Sequence, residues 1–417
     1  MSVPTTPSGV PVPRRVVVIL LLVIPLSQIP LDIYTPALPQ MVLDLDASAA
    51  VVQNTVTAYM LGMSLAFIPV GLIADAVGRK RTLLTCLAIL VVTSVGCALV
   101  QNITLLLGLR FVQGIGGCAC LVLAYAIAAD CYRGARLTSV SGLLGAAWGL
   151  APVLAPAVGG VLVQFISWRL VFGLIALLAA LAVPLVVAGL PETLPPELRA
   201  PVDVGAAARV LGAALRHRIF VGFVLVFGLM ASAQMVFGVV APFLYQQILG
   251  FSPAAYGAVA LVVGGANLLG ELACSALAVR VGTRRLAFGA WWVFVSGALV
   301  LTVTAGLSVV TAPAITIGAC LALAGCGVLC PQMYGLALGL FTRNLGLIGG
   351  VVTAACYLVV SAAMAVAGVL PENSQAPLGW LYLTLGAGAG ILLLLTTSTR
   401  RSQGSPSAAP APRPERR

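Results

Sequence analysis

Three ionisable side chains stand inside long apolar runs: Asp32, Arg110 and Glu271. Holding such a group in hydrocarbon is costly, so each is a functional candidate by default. A carboxyl group can take up and release a proton as its surroundings change from wet to dry, or as a cation approaches and leaves. A guanidinium keeps its charge and offers five donors in a fixed fork. The chain has one histidine, His217, and it lies between runs. If protons are carried through the apolar part, a carboxylate must carry them. Asp32 is the first candidate; its structural alternative is an aspartate satisfied by Arg110 or by backbone near Pro30. Arg110 could tune Asp32 or hold its bundle together. Glu271 could be a second proton or cation site, or a packed polar residue paired near a basic cluster.

The elements that position these groups follow from composition. Of 417 residues, 61% are hydrophobic and 8% charged, against about a quarter charged in a soluble domain. No soluble core hides that much apolar surface, so lipid must be the main solvent. Apolar runs fall at 16–38, 51–74, 82–101, 104–129, 138–163, 169–190, 219–245, 254–279, 286–306, 312–341, 347–369 and 377–399. Each is long enough for a helix across a bilayer, which takes about 20 residues. None alternates as a barrel strand would. The first run lacks a small-residue cleavage site after it and reads as a retained span.

With the N-terminus in the cytoplasm, 20 of the 22 Lys and Arg fall in inside segments. The asymmetry predicts that both termini are cytoplasmic. The net charge of +11 is spread in short clusters between runs, which argues against a nucleic-acid partner. The ten cysteines lack zinc-site spacing and read as small apolar residues. No metal or cofactor is expected. The absence of HExxH and GxSxG argues against an intramembrane enzyme, and the absence of GxxxxGK[ST] against ATP use by this chain.

The predicted organisation is a cytoplasmic segment 1–15, a six-helix bundle 16–190, a Pro-rich linker 191–218, a second six-helix bundle 219–400 and a disordered tail 401–417. A weak repeat supports the halving. Gly71-Leu-Ile-Ala-Asp75-Ala-Val-Gly78-Arg79-Lys80-Arg81 recurs 204 residues later as Ser275 to Arg285, with Gly282 and two basic residues kept and Val279 in place of the acid. Paired six-span repeats with a site between them are the plan of many secondary transporters.

These residues resemble the Major Facilitator Superfamily. Gly71–Arg81 is similar to its loop motif between helices two and three. Arg110-Phe-Val-Gln113-Gly114-Ile-Gly116-Gly117 is similar to its helix-four motif. Gly142, Pro152, Pro156, Gly159 and Gly160 resemble the helix-five motif of antiporters, although Ala155 departs from it. Asp32-Ile-Tyr34-Thr-Pro36-Ala-Leu-Pro39 and Asp130 narrow the likeness to the Bcr/CflA branch, although Ala129 departs from that branch. The resemblance implies an all-α fold of twelve membrane helices in two pseudo-symmetric bundles. It also implies a bacterial inner-membrane monomer that exports small drugs, phenicol- or bicyclomycin-like, in exchange for protons. A proton-linked exporter or importer of a metabolite, such as a sugar or amino-acid derivative, is the alternative on the same scaffold.

Under this reading Asp32, Arg110 and Glu271 serve proton coupling. Gly71, Asp75, Gly78, Arg79, Arg81 and Asp130 form an inner gate, or else ordinary loop electrostatics. The substrate cavity draws on Tyr34, Gln53, Tyr59, Gln113, Trp148, Met235, Phe237, Met333, Tyr334 and Tyr357, each of which could equally be core packing.

Overall fold

The computed structural model describes residues 15–307, 310–341, 345–370 and 374–402. Segment 1–14, the stretch 403–417, Arg14, Arg343 and Glu372 therefore lie outside the described residues. The long apolar runs form helices because, without water, every backbone polar group must be satisfied within its own segment. Among the described residues, twelve spans are long and apolar enough to cross a bilayer. The first comprises α1 (Arg15–Val23), α2 (Ile29–Asp32) and α3 (Leu38–Asp44). Five single helices follow: α4 (Ala49–Val77), α5 (Arg79–Leu99), α6 (Ile103–Cys131), α7 (Gly134–Phe165) and α8 (Trp168–Gly189). A short linker helix, α9 (Val204–Arg216), precedes the second set: α10 (Arg218–Phe243), α11 (Pro253–Val281), α12 (Thr283–Gly306), α13 (Ala312–Leu338), α14 (Leu345–Ala367) and α15 (Ala376–Ser402).

The first span corrects the expectation of one continuous helix over 16–38. It is broken twice by 3-10 turns at Ile24–Ser27 and Thr35–Ala37, and it extends to Asp44. Pro25, Pro30, Pro36 and Pro39 each remove a backbone donor, which frees carbonyls and bends the chain. Asp32 ends α2, between the two breaks.

The two ends of the molecule are turned differently. At one end Ser48, Asn102, Ser167 and Ser252 cap α4, α6, α8 and α11 with side-chain oxygens. At the other, basic end, Gly78 (φ +118°) and Gly282 (φ +81°) make the turns into α5 and α12. The 204-residue repeat thus exists in the backbone as well as in the letters.

Spans one to six pack as one bundle and seven to twelve as another. They meet along α7 with α11 and α4 with α14, and where Thr35–Ala37 touches α10 and α11. Close approaches run along α7 and α11 from Gly160 beside Pro253, through Gly257 and Gly264, to Gly149 beside Glu271. On the other seam Ser64 donates to the Ala354 carbonyl at 2.8 Å and Phe67 stacks on Tyr357. Beyond Gly149, α7 continues for fifteen residues to Gly134 at the basic end, where its surface is largely exposed.

The linker divides between the halves. Its start lies on the first half: the Ala200 amide donates to the Asp75 carbonyl at 3.2 Å. Its helix α9 packs on α10 and α14. Residues 201–203 join the two parts and are exposed.

Candidate functional site

Arg110 lies fully buried on α6, inside the first half. No carboxylate pairs with it among the described residues. Its Nε donates to the Thr55 carbonyl at 3.2 Å, one terminal nitrogen to Gln113 Oε1, and the other to the Tyr34 hydroxyl at 3.3 Å. The guanidinium sits 4.6 Å from the Tyr34 ring centroid, 4.5 Å from Tyr59 and 5.6 Å from Phe172. Gln113 passes the chain on to Ser94 at 2.7 Å, and Tyr59 bonds the Ser27 carbonyl at 2.8 Å. Aromatic faces and neutral oxygens thus take the place of a counter-ion. Glycines make this cage possible. A Cβ at Gly114 would overlap the Tyr59 carbonyl oxygen, and one at Gly117 the Tyr59 hydroxyl. Tyr34, Tyr59 and Gln113, expected in the cavity, belong to this cage instead, because a flat donor fork buried without an anion recruits rings and amides.

Asp32 is 9% exposed and forms no ion pair with Arg110. Its Oδ2 accepts from Gln28 Nε2 at 3.0 Å, and its backbone carbonyl accepts from Thr35 Oγ1 at 2.9 Å. Asp32 lines a cavity of about 50 Å³ between the halves. Thr35, Pro152 and Pro156 bound it from the first half, and Gln234, Met235, Phe237 and Tyr256 from the second. Drug-sized pockets run from about 300 to 1,000 Å³, so a substrate of that size requires the halves to part. Of the ten residues expected to line a cavity, Met235 and Phe237 do so here. Tyr357 lies on the seam against Phe67, and Gln53 near Gly368 at the end of the α4–α14 seam. Met333 is buried core; Tyr334 packs on Phe227 within the second half. Trp148 is partly buried on α7, its indole Nε1 buried without a hydrogen-bond partner among the described residues.

Glu271 occupies α11 across the seam from Gly149; a Cβ added to Gly149 would sit 3.5 Å from its Oε2. Asn267 Nδ2 donates to Oε1 at 3.0 Å. No ion pair forms at Glu271 among the described residues, so the suggested pairing with the basic cluster is not made. Sequence reading missed both amide partners. The signal was present: Gln28 and Asn267 each stand four residues before their carboxylate, one helical turn away.

Helix α7 is held from both sides. A Cβ at Gly159 would overlap the Ile33 carbonyl in the broken first span; one at Gly160 would overlap the Pro253 carbonyl of α11. Pro152 and Pro156 border the Asp32 cavity. Gly142, grouped with these by motif, faces open space.

At the basic end Arg79 bridges Asp75 at 2.6 Å and Asp130 at 3.2 Å. Thr193 donates to Asp130 at 3.0 Å, and Glu192 accepts from the Arg79 amide at 2.9 Å while its carboxylate lies against Gly78. Every partner comes from the first half or the start of the linker. Glu192 and Thr193 were unforeseen because they fall in a stretch that reads as connecting chain. Arg81 is exposed, and Gly71, expected in the inner gate, has nothing within 4 Å of its added Cβ.

The fold, the paired bundles and the seam between them are those of a membrane transporter, and the comparisons agree. Residues 20–285 match the Major Facilitator Superfamily, and the chain belongs to that family. It is a multi-pass membrane protein built as twelve helices in two six-helix bundles. The chain is 35% identical over 259 residues to YdgK of Bacillus subtilis (strain 168), an uncharacterized MFS-type transporter, covering 62% of this chain and 63% of YdgK. It is 31% identical over 238 residues to the multidrug resistance protein MdtL of Escherichia coli O157:H7, covering 57% and 60%. These alignments thus span less than two thirds of those relatives' length. Among solved structures, a D-xylose-proton symporter superposes with a TM-score of 0.75 at 15% identity, over 92% of this chain and 96% of that one. The human organic anion transporter MFSD10 gives 0.66 at 19%, over 92% and 99%.

Proposed function

We propose that the chain is a proton-coupled exporter of small amphipathic drugs, phenicol- or bicyclomycin-like, of the Bcr/CflA kind. It works as a monomer in a bacterial inner membrane, both termini cytoplasmic. The observation that carries this reading is Asp32: a buried carboxylate with a neutral partner, at a break in its span, facing the cavity between the two halves. The relatives named for multidrug resistance support the substrate class.

This reading implies a cycle. In this arrangement Gln246 Nε2 donates to the Pro36 carbonyl at 2.8 Å across the halves at the end away from the basic one, and the basic-end part of α7 is largely exposed. A drug enters from the basic, cytoplasmic side and spreads the cavity. The reverse tilt brings the Asp75–Arg79–Asp130 layer against the second half, opens Asp32 to the outside and lets a proton replace the drug. Arg110 acts as a positioning residue: with Tyr34 and Thr55 it fixes the segment that follows Asp32. A membrane potential of 100 mV supplies about 2.3 kcal/mol per charge. At about 1.4 kcal/mol per decade, one net charge sustains roughly a 50-fold gradient.

Drug uptake into inverted vesicles under an imposed pH gradient tests this. D32N is expected to lose at least tenfold of the pH-driven rate. Full pH-driven uptake by D32N would remove the proposed mechanism.

A further inference from the structure

The two basic turns related by the 204-residue repeat differ in what meets their charge. At the turn into α5, Arg79 reaches two carboxylates, Glu192 takes the Arg79 amide, and Lys80 Nζ donates to the Val187 carbonyl at 2.7 Å. The turn into α12 has none of this. Val279 stands in place of the acid. Arg280, Arg284 and Arg285 are exposed, and among the described residues they form no ion pair. Glu271 is the one acid among the described residues from 204 to 370. It lies about 14 Å from Arg280 along α11.

The start of α12 is open as well. No side chain caps it, so the amides of its first turn lack an acceptor among the described residues. Gln332 of α13 comes against this turn, where its Nε2 donates to the Thr283 carbonyl at 2.8 Å. The residue is 9% exposed, and its Oε1 is buried with no partner among the described residues. One buried acceptor thus stands beside a group of positive donors. That combination asks for an anion that also carries a hydrogen-bond donor. A phosphate diester supplies the charge, and a hydroxyl on its headgroup supplies the donor. Position selects a lipid over a free anion. Helix α12 packs on α11, α13 and α15, all in the second half and away from the seam. At seven-residue steps from Arg285, one face of α12 carries Trp292 and Leu299, 61% and 46% exposed. A charged end followed by an apolar track matches the profile of a phospholipid.

We propose that the turn into α12, with Arg280, Arg284, Arg285 and Gln332, binds the headgroup of an anionic, hydroxyl-bearing phospholipid such as phosphatidylglycerol. The lipid gives the second half the negative charge that Asp75, Asp130 and Glu192 give the first. The site lies away from the Asp32 cavity, so it stands apart from the substrate and proton readings.

The test is lipid selection by the purified full-length protein. In mixed micelles it is titrated with phosphatidylglycerol and with phosphatidylcholine, whose headgroup has neither net charge nor a donor. Bound lipid is counted by mass spectrometry of the intact complex. The wild type is expected to favour phosphatidylglycerol by roughly tenfold or more, since three basic residues act together. R285Q should lower that preference about fivefold, and R284Q/R285Q about tenfold or more. R284K/R285K should stay within about threefold of wild type, because the charge is kept. Q332M, which removes the buried acceptor, should lower the preference about threefold. R81Q, the mirror of R285Q on the turn that already has its carboxylates, should change it by less than about twofold. Both substituted arginines of α12 are exposed, so these variants leave the interior intact. Inorganic phosphate exchanged for chloride at constant ionic strength should leave the preference unchanged. Equal losses in R81Q and R285Q would mean that any basic surface attracts the lipid, and displacement by inorganic phosphate would mean a free-anion site. Either result, a Q332M preference equal to wild type, or no preference in the wild type would overturn the proposal.

Discussion

The interior of the first half and the seam between the halves solve the problem of a polar group in an apolar medium in opposite ways. Around Arg110, three hydrogen-bond acceptors and three rings enclose the charge, and its neighbours pass their own bonds onward to Ser94 and Ser27. At the seam, Asp32 and Glu271 each have one side-chain amide and, among the described residues, no paired cation. Fully bonded polar groups rigidify their surroundings, and partly bonded ones remain available to something that arrives. The contrast separates the polar groups that hold a half together from those that keep bonding capacity open at the seam.

The largest effect that would break this contrast is in the cage. R110A leaves Gln113 Oε1 without its donor, takes the cation from between the Tyr34, Tyr59 and Phe172 rings and leaves a void, at a cost of about 3–5 kcal/mol. Thermal unfolding in detergent should show a large drop in midpoint; a midpoint equal to wild type would mean the cage is not structural. G159V comes next. Its side chain must displace the Ile33 backbone, and overpacking costs about 1–3 kcal/mol. Reduced stability together with lost transport is expected, whereas a fully active G159V would deny the contact between α7 and the broken span. D32N should sharpen the contrast from the other side: the Gln28 bond can be kept, so unfolding should shift by less than about 1 kcal/mol while pH-driven transport collapses. A fall in stability comparable to that of R110A would place Asp32 with the structural groups. The smallest effect belongs to Gly71. Open space surrounds it, so G71A should be neutral or stabilising by up to about 1 kcal/mol. G78A should destabilise, because its φ of +118° disfavours any side chain; equal midpoints for the two variants would contradict the turn geometry.

The spans and their halving were legible because hydrocarbon imposes length and composition on each helix separately. The Gly78 and Gly282 turns were legible because two nearby basic residues marked the repeat. What the letters did not disclose is which face meets which. Tyr34 and Tyr59 read as ligand contacts because an aromatic ring looks the same whether it stacks on a drug or on a guanidinium. The first span read as unbroken because its prolines sit in an otherwise apolar run. Glu192 and Thr193 were invisible as partners of Arg79 and Asp130 because those contacts depend on a chain segment folding back over 113 and 63 residues.

That folding back sets a mechanical limit. The connection between halves reads as 28 residues of slack, yet Ala200 is tied to the last turn of α4, and α9 rides on the second half. Only Pro201, Val202 and Asp203 remain to bridge them. From Ala200 to Val204 the fully stretched chain spans at most about 14 Å. The connection is a leash rather than a rope, and it caps how wide the basic mouth of the molecule can gape without either anchor tearing loose.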